Sequence, residues 1–130
     1  MFPNYEQAHM EGTAVPKLIN DENFLKNDFM DRVKKRGKEI IDVRGFSSVM
    51  SAGKAILDHL HDWYQGTIEG VYVSMAVHCD GAYGVEKGLY CSFPVRCTGN
   101  FNYEVNKDVK LSEFAMSQLM TSVKELQEEK

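Results

Sequence analysis

Two adjacent serines, Ser47 and Ser48, are the residues of this sequence best placed to bind a small ligand. They precede a run of apolar side chains at helical spacing, so we expect them at the start of a helix. Free N–H groups at a helix start, together with serine hydroxyls, can bind a carboxylate. Serine is equally a common N-cap. The residues alone favour the plain N-cap and leave the carboxylate site as the functional alternative.

Cysteine and histidine offer a second kind of chemistry, but their spacing does not favour it. The chain has three cysteines, Cys79, Cys91 and Cys97. They lack CxxC spacing, and their odd number favours packed, reduced thiols over disulfides or a zinc site. His59 and His61 stand two apart on a predicted helix and so point to different faces. His78 and Cys91 could pair across two predicted strands, but no activating group accompanies them.

A nucleotide site within the chain is not indicated. The glycine-containing loop Asp80–Gly88 has neither the G-x-G-x-x-G spacing of dinucleotide-binding folds nor the spacing of a P-loop. If a dinucleotide is bound, we expect most of its site to lie outside this chain.

The composition is that of one globular domain, residues 1–130, with 43% hydrophobic and 26% charged residues. A net charge of −4 argues against a nucleic-acid partner, and we interpret Lys34, Lys35 and Arg36 as a solvated helix face. No apolar run approaches the roughly 20 residues that span a bilayer, and the N-terminal residues do not resemble a signal peptide. We therefore expect a cytoplasmic protein without a membrane partner.

A first helix is predicted to begin at Asn20–Glu22, with Asn20 or Asp21 as its cap. Its apolar positions are Leu25, Phe29, Val33, Ile40 and Ile41. This stripe continues past Gly37, and glycine costs about 1 kcal/mol in a helix interior relative to alanine. Gly37 therefore indicates either close approach of another group to the backbone or a break or kink in the helix.

A second helix is predicted from Ser47 or Ser48 to Gln65-Gly66. One apolar face consists of Val49, Ala52, Ile56, Leu60 and Trp63. The first two turns are rich in small residues, including Ser51 and Ala52, which would let a ligand or another backbone come close.

The remaining chain predicts an antiparallel meander and a closing helix. The predicted strands are Val71–His78, Leu89–Val95 and Asn100–Val105, with a further short strand possible near Ala14–Ile19. Pro94 has no N–H, so we expect its strand to be an edge or irregular there. Ser112 caps the closing helix, or Leu111 begins it. Helices and strands in this order predict an α+β fold.

Four segments carry more specific motifs: SSVMSAGKAILDHLHDW, VYVSMAVHCDGAYGV, LYCSFPV and VKELQEEK. In order and spacing they resemble the C-terminal half of cytosolic-type malate dehydrogenase. Phe2-Pro3-Asn4 near the N-terminus adds to this resemblance, which covers nearly the whole chain. It implies the C-terminal domain fold of the lactate and malate dehydrogenases, in which long helices pack on an antiparallel sheet.

The resemblance implies an NAD-dependent oxidoreductase that interconverts malate and oxaloacetate. In that family a Rossmann domain binds NAD, and a catalytic histidine lies in an Asn-His-Ser motif that would precede Met1. The partner aspartate and the substrate-binding arginines would also lie upstream. None of the four histidines matches the motif, so no catalytic residue is assigned. We expect no turnover without the missing N-terminal half.

The resemblance also selects five binding residues, and neither it nor the spacing of the cysteines and histidines assigns a metal ligand. Ser48 matches a serine that contacts substrate, Ser47 adjoins it, and Gly37 matches a glycine beside the substrate site. Ser51 and Ala52 would approach the nicotinamide of NAD.

The helix from Ser47 to Trp63 resembles one that helps to form the family's dimer contact. The implied partner is the Rossmann half of a malate dehydrogenase or another protein chain, in a homo- or hetero-oligomer. Two alternatives stay open: a non-enzymatic structural or interaction module, and a relative of lactate dehydrogenase, because the loop that separates the two substrates lies outside this chain.

Overall fold

The computed structural model describes residues 2–129, and the chain folds as two compact units, Met1–Ser48 and Val49–Lys130. The first unit contains β1 (His9–Met10), β2 (Thr13–Ala14), α1 (Val15–Ile19), a π-helical segment (Phe24–Phe29) and α2 (Met30–Arg44). The second contains α3 (Val49–Gln65), β3 (Val73–His78), a 3₁₀ turn (Ala82–Gly84), β4 (Tyr90–Gly99), β5 (Asn102–Val105) and α4 (Glu113–Glu128). Helices combined with an antiparallel sheet confirm the predicted α+β class.

The prediction of a short strand near Ala14–Ile19 is wrong, because Val15–Ile19 forms the short helix α1. Pro16 lies in the first turn of this helix, where its missing N–H removes no helical hydrogen bond. Asn20 ends the helix in the left-handed region, with φ 48°, and donates its N–H to the carbonyl of Pro16 at 3.0 Å. Proline and asparagine therefore act here as helix start and stop signals.

The next helix begins as predicted, since the Asp21 carboxylate accepts the N–H of Phe24 at 2.9 Å. Its first turns are π-helical, however, which the spacing does not predict. Leu25 and Met30 stand five residues apart and are both buried. An i→i+5 hydrogen-bond pattern brings residues five apart onto nearly the same face, whereas an α-helix would separate them by about 140°. The π-helical segment thus directs both side chains into the first unit's interior.

The second unit is built on a three-stranded antiparallel sheet in the order β3-β4-β5. Alternate residues of β4 are buried, namely Cys91, Phe93, Val95 and Cys97. Val123, on α4, belongs to the same core. The intervening residues of β4, such as Tyr90 and Arg96, are exposed, apart from the half-buried Pro94. The sheet therefore has one covered and one exposed face.

Pro94 lies in the central strand, so the expectation of an edge or an irregularity is wrong. Its carbonyl accepts the N–H of Asn106 at 2.8 Å, just beyond the end of β5. In an antiparallel ladder the N–H and C=O of one residue point to the same neighbour. The missing N–H of Pro94 therefore faces the place where β5 has already ended, and no ladder bond is lost.

The β4–β5 turn explains why β5 begins at Asn102 rather than at Asn100. Asn100 and Phe101 both adopt left-handed conformations, with φ 50° and 63°. Their N–H groups bind the carbonyls of Tyr64 at 2.8 Å and Trp63 at 3.1 Å. The turn therefore satisfies carbonyls that the end of α3 leaves without helical partners.

The loop after β3 is tied to the segment that leads into α4. Asp80 pairs with Lys107 at 2.8 Å and accepts the N–H of Ala82 at 3.0 Å. The Tyr83 hydroxyl donates a short hydrogen bond to the carbonyl of Asn106. At the start of α4, Ser112 accepts the N–H of Ala115 at 3.1 Å, which confirms Ser112 as the cap.

Replacing Asp80 with asparagine should reduce the acid sensitivity of the second unit. The Lys107 ammonium and the Ala82 N–H lower the pKa of the Asp80 carboxyl. A carboxylate with a lowered folded-state pKa stabilises the fold above its unfolded-state pKa and loses that contribution as pH falls through the folded-state pKa. The difference in unfolding free energy between Asp80→Asn and the parent should therefore shrink between about pH 5 and pH 2, as measured by urea denaturation.

Glu69→Gln is the control, because it removes one exposed loop carboxylate from the same unit. An equal pH dependence in the two variants would contradict a specific role for the Asp80–Lys107 pair.

Candidate functional site

The two serines lie in the link between the helices. Helix α2 ends at Arg44, where Gly45, with φ 70°, donates its N–H to the carbonyl of Ile41 at 2.8 Å. Ser47 is exposed and Ser48 is half-buried. Helix α3 begins at Val49, so the predicted helix start directly after the serine pair is confirmed.

Gly37 lies inside α2, which runs without interruption from Met30 to Arg44. The predicted helix break is therefore wrong. Apart from its chain neighbours and the adjoining backbone of α2, no described residue would have an atom within 4 Å of a Cβ built on Gly37. The glycine is exposed, and the space beside it is open within the described chain. The close approach of a ligand to Gly37 stays a prediction.

Ser51 and Ala52 lie in the first turn of α3, and both are exposed. The helix contains no buried residue, although it carries several large apolar side chains. We define the α3 apolar face as Val49, Met50, Ile56, Leu57 and Leu60, all of them exposed. Of the predicted apolar face, only Trp63 packs against the core of the second unit. The helix and its apolar residues were therefore predicted from the sequence pattern, whereas the need for a partner to cover them was implied only by the family resemblance.

His78 and Cys91, whose pairing the sequence left conceivable but did not favour, do not face each other. Cys91 faces Val77 across the strands and is buried, whereas His78 faces Tyr90 on the exposed side. Alternation along the strands thus places the two side chains on opposite faces of the sheet. All three cysteines are free, buried thiols, which confirms the prediction of packed thiols. Burial raises the pKa of Cys91 and of Cys97 and so favours the unreactive thiol form.

Metal and nucleic-acid chemistry find no support in the described residues. Between residues 2 and 129, no group of three or more His, Cys, Asp or Glu side chains could hold a metal ion. The basic run on α2 is exposed, and Lys35 and Arg36 pair with Asp31 at 2.7 Å and Glu39 at 2.9 Å. Among the same residues, no helix combines the length and the apolar character needed to cross a bilayer.

The sequence pattern did not identify the indole N–H of Trp63 as an unusual polar group. The indole N–H of Trp63 is the one buried side-chain polar group without a hydrogen-bond partner in the described part of the chain. The Trp63 ring lies edge-to-face with Phe101, with centroids 5.3 Å apart. The position of this tryptophan at the end of an apolar helix face predicts that its ring is packed. It does not predict that the indole N–H lacks a hydrogen-bond partner.

The family described as lactate/malate dehydrogenase, alpha/beta C-terminal domain, matches residues 1–130 and so includes both units. The chain belongs to this family. The resemblance seen in the sequence motifs is therefore confirmed at the level of the family.

Solved structures of this family share the fold. Malate dehydrogenase from Naegleria fowleri matches 98% of this chain with a TM-score of 0.88 and 39% identity. Lactate dehydrogenase from Trichomonas vaginalis, in complex with NADH and oxamate, matches 98% with a TM-score of 0.87 and 26% identity. Malate dehydrogenase from Salinibacter ruber matches 98% with a TM-score of 0.77 and 26% identity. This chain covers 39%, 40% and 40% of these three proteins, respectively, or about two fifths of their length.

The five residues selected by the resemblance lie in three places along the family domain. Gly37 is in α2, seven residues or about 10 Å along the helix axis before Arg44. Ser47 and Ser48 are in the link, and Ser51 and Ala52 are in the first turn of α3. Their roles in binding substrate or cofactor stay predictions.

Proposed function

We propose that this chain is the substrate-side part of an NAD-dependent dehydrogenase that interconverts malate and oxaloacetate by hydride transfer. The similarity to the Naegleria fowleri malate dehydrogenase, at 39% identity over 98% of the chain, is the observation that carries this proposal. This chain covers 39% of that protein. The NAD-binding part and the catalytic histidine would come from residues outside this sequence, on the same polypeptide or on another.

In this proposal Ser48 contributes to the substrate pocket and Ser47 supports it. Malate and oxaloacetate each carry two carboxylates, and a serine hydroxyl can donate a hydrogen bond to a carboxylate oxygen. The half-buried position of Ser48 suits such a contact better than that of the exposed Ser47. Gly37 would leave room for substrate beside α2, because no side chain of the described residues other than its chain neighbours occupies the space next to its backbone.

NAD would supply the hydride acceptor, and this chain would contact only part of it. Ser51 and Ala52 are small and exposed, which is compatible with a ring lying against the first turn of α3. The chain has no glycine-rich fingerprint for the pyrophosphate, so that contact would belong to the other part of the enzyme. The Trichomonas vaginalis lactate dehydrogenase is in complex with NADH, which supports the same cofactor here.

Reconstitution tests the proposal. The chain alone should not oxidise NADH with oxaloacetate, whereas its mixture with the NAD-binding half of the Naegleria fowleri enzyme should do so. Loss of NADH absorbance gives the rate, and each half alone is the control. Faster turnover of pyruvate than of oxaloacetate would indicate a lactate dehydrogenase instead. No oxidation by any mixture, with both parts shown to be folded by circular dichroism, would contradict the proposal.

In an active mixture, Ser48→Ala should lower kcat/KM for oxaloacetate by about 10- to 100-fold. This is the expected loss of one hydrogen bond to a charged group, about 1.5–3 kcal/mol. Ser47→Ala is the matched control and should have a smaller effect, while Ser48→Thr, which keeps the hydroxyl, should recover part of the activity. Equal losses of kcat/KM in Ser47→Ala and Ser48→Ala would contradict the assignment of Ser48 as the substrate-binding serine.

A non-enzymatic interaction module is the second candidate, favoured by the α3 apolar face. Ile56 is 61% exposed and Met50 is 75% exposed, and large apolar patches of this kind commonly mark interaction sites. In either function we propose that a partner covers the α3 apolar face and that the protein forms a homo- or hetero-oligomer. The partner would be the NAD-binding half, a second copy of this chain or another protein. We also propose a cytoplasmic location, as the resemblance to cytosolic-type enzymes implies. A stable complex with another protein, without activity in any mixture, would favour the module.

A further inference from the structure

We draw no further inference here: the strongest candidate, the exposed aromatic patch of Tyr64 and Phe101 beside Trp63 at the junction of α3 with the β4–β5 turn, carries none because nothing in the structure shows what covers it.

Discussion

Replacing Phe93 with alanine should lower the free energy of unfolding of the second unit by about 3–5 kcal/mol. Phe93 is only 1% exposed and lies in the centre of β4, within the core formed by the covered face of the sheet. Its ring stacks on Tyr83, with centroids 5.8 Å apart and planes inclined by 12°. The substitution removes a buried ring together with its stacking contact on Tyr83, and it leaves a cavity that close-packed neighbours fill only in part.

The same strand provides the matched control. Tyr90 is also an aromatic residue of β4, but it is 68% exposed and lies on the other face of the sheet. Tyr90→Ala should change the unfolding free energy by less than about 1 kcal/mol. Urea denaturation followed by the fluorescence of Trp63, the chain's single tryptophan, reports on this unit directly. Comparable losses in the two variants would contradict the assignment of a covered and an exposed face.

Strand β4 shows how much of this fold the sequence can predict. The segment Leu89–Val95 is rich in aromatic and β-branched residues, and that composition was sufficient to predict a strand. Its full extent was not predictable, because Pro94 and Gly99 locally indicate an edge or a turn. The register with β5 allows both residues. Strand β5 ends at Val105, opposite Val95, so it stops before it reaches Pro94, and Gly99 pairs with Asn102 after a bulge.

The first unit departs from the sequence prediction for a related reason. The apolar spacing of Leu25 and Phe29 fits an α-helix, yet the segment is π-helical. The wider turn accompanies the burial of both Leu25 and Met30 and the edge-to-face contact of Tyr5 with Phe29, whose ring centroids are 6.0 Å apart. The contact between Tyr5 and Phe29 joins segments that are distant in sequence, so the periodicity of one segment does not encode it.

The candidate site was predictable only in part, because a local pattern can specify a helix start but not the group that binds there. The order of Ser47, Ser48 and the apolar run placed the serines before α3 correctly. Nothing in that order distinguishes a cap from a carboxylate ligand, since both use the same hydroxyl and N–H chemistry. The preference for substrate binding rests on family resemblance, and in the proposed enzyme the groups that would react with the substrate lie on another part of the protein.

Replacing Gly66 with alanine should cost about 2–4 kcal/mol of unfolding free energy, because two penalties coincide there. Gly66 has φ 90°, a conformation that L-residues with a Cβ rarely adopt. An added Cβ would also lie 3.3 Å from both the carbonyl oxygen of Cys97 and the amide nitrogen of Gly99. These are backbone atoms, so the contact cannot be relieved by rotating a side chain. Urea denaturation of Gly66→Ala measures the combined cost.

Gly70→Ala separates the two penalties. Gly70 has a similar φ of 80°, but apart from its two chain neighbours no described residue has an atom within 4 Å of an added Cβ. It should cost only the conformational penalty of about 1–2 kcal/mol. If both variants lose the same stability, close packing between the end of α3 and β4 does not contribute. At the same junction, Thr67 donates its N–H to the carbonyl of Cys97 at 2.9 Å. A larger loss at Gly66 would show that this junction fixes the C-terminal end of α3 on the sheet. Because α3 is a single uninterrupted helix, that anchor would also determine how the α3 apolar face is presented to a partner.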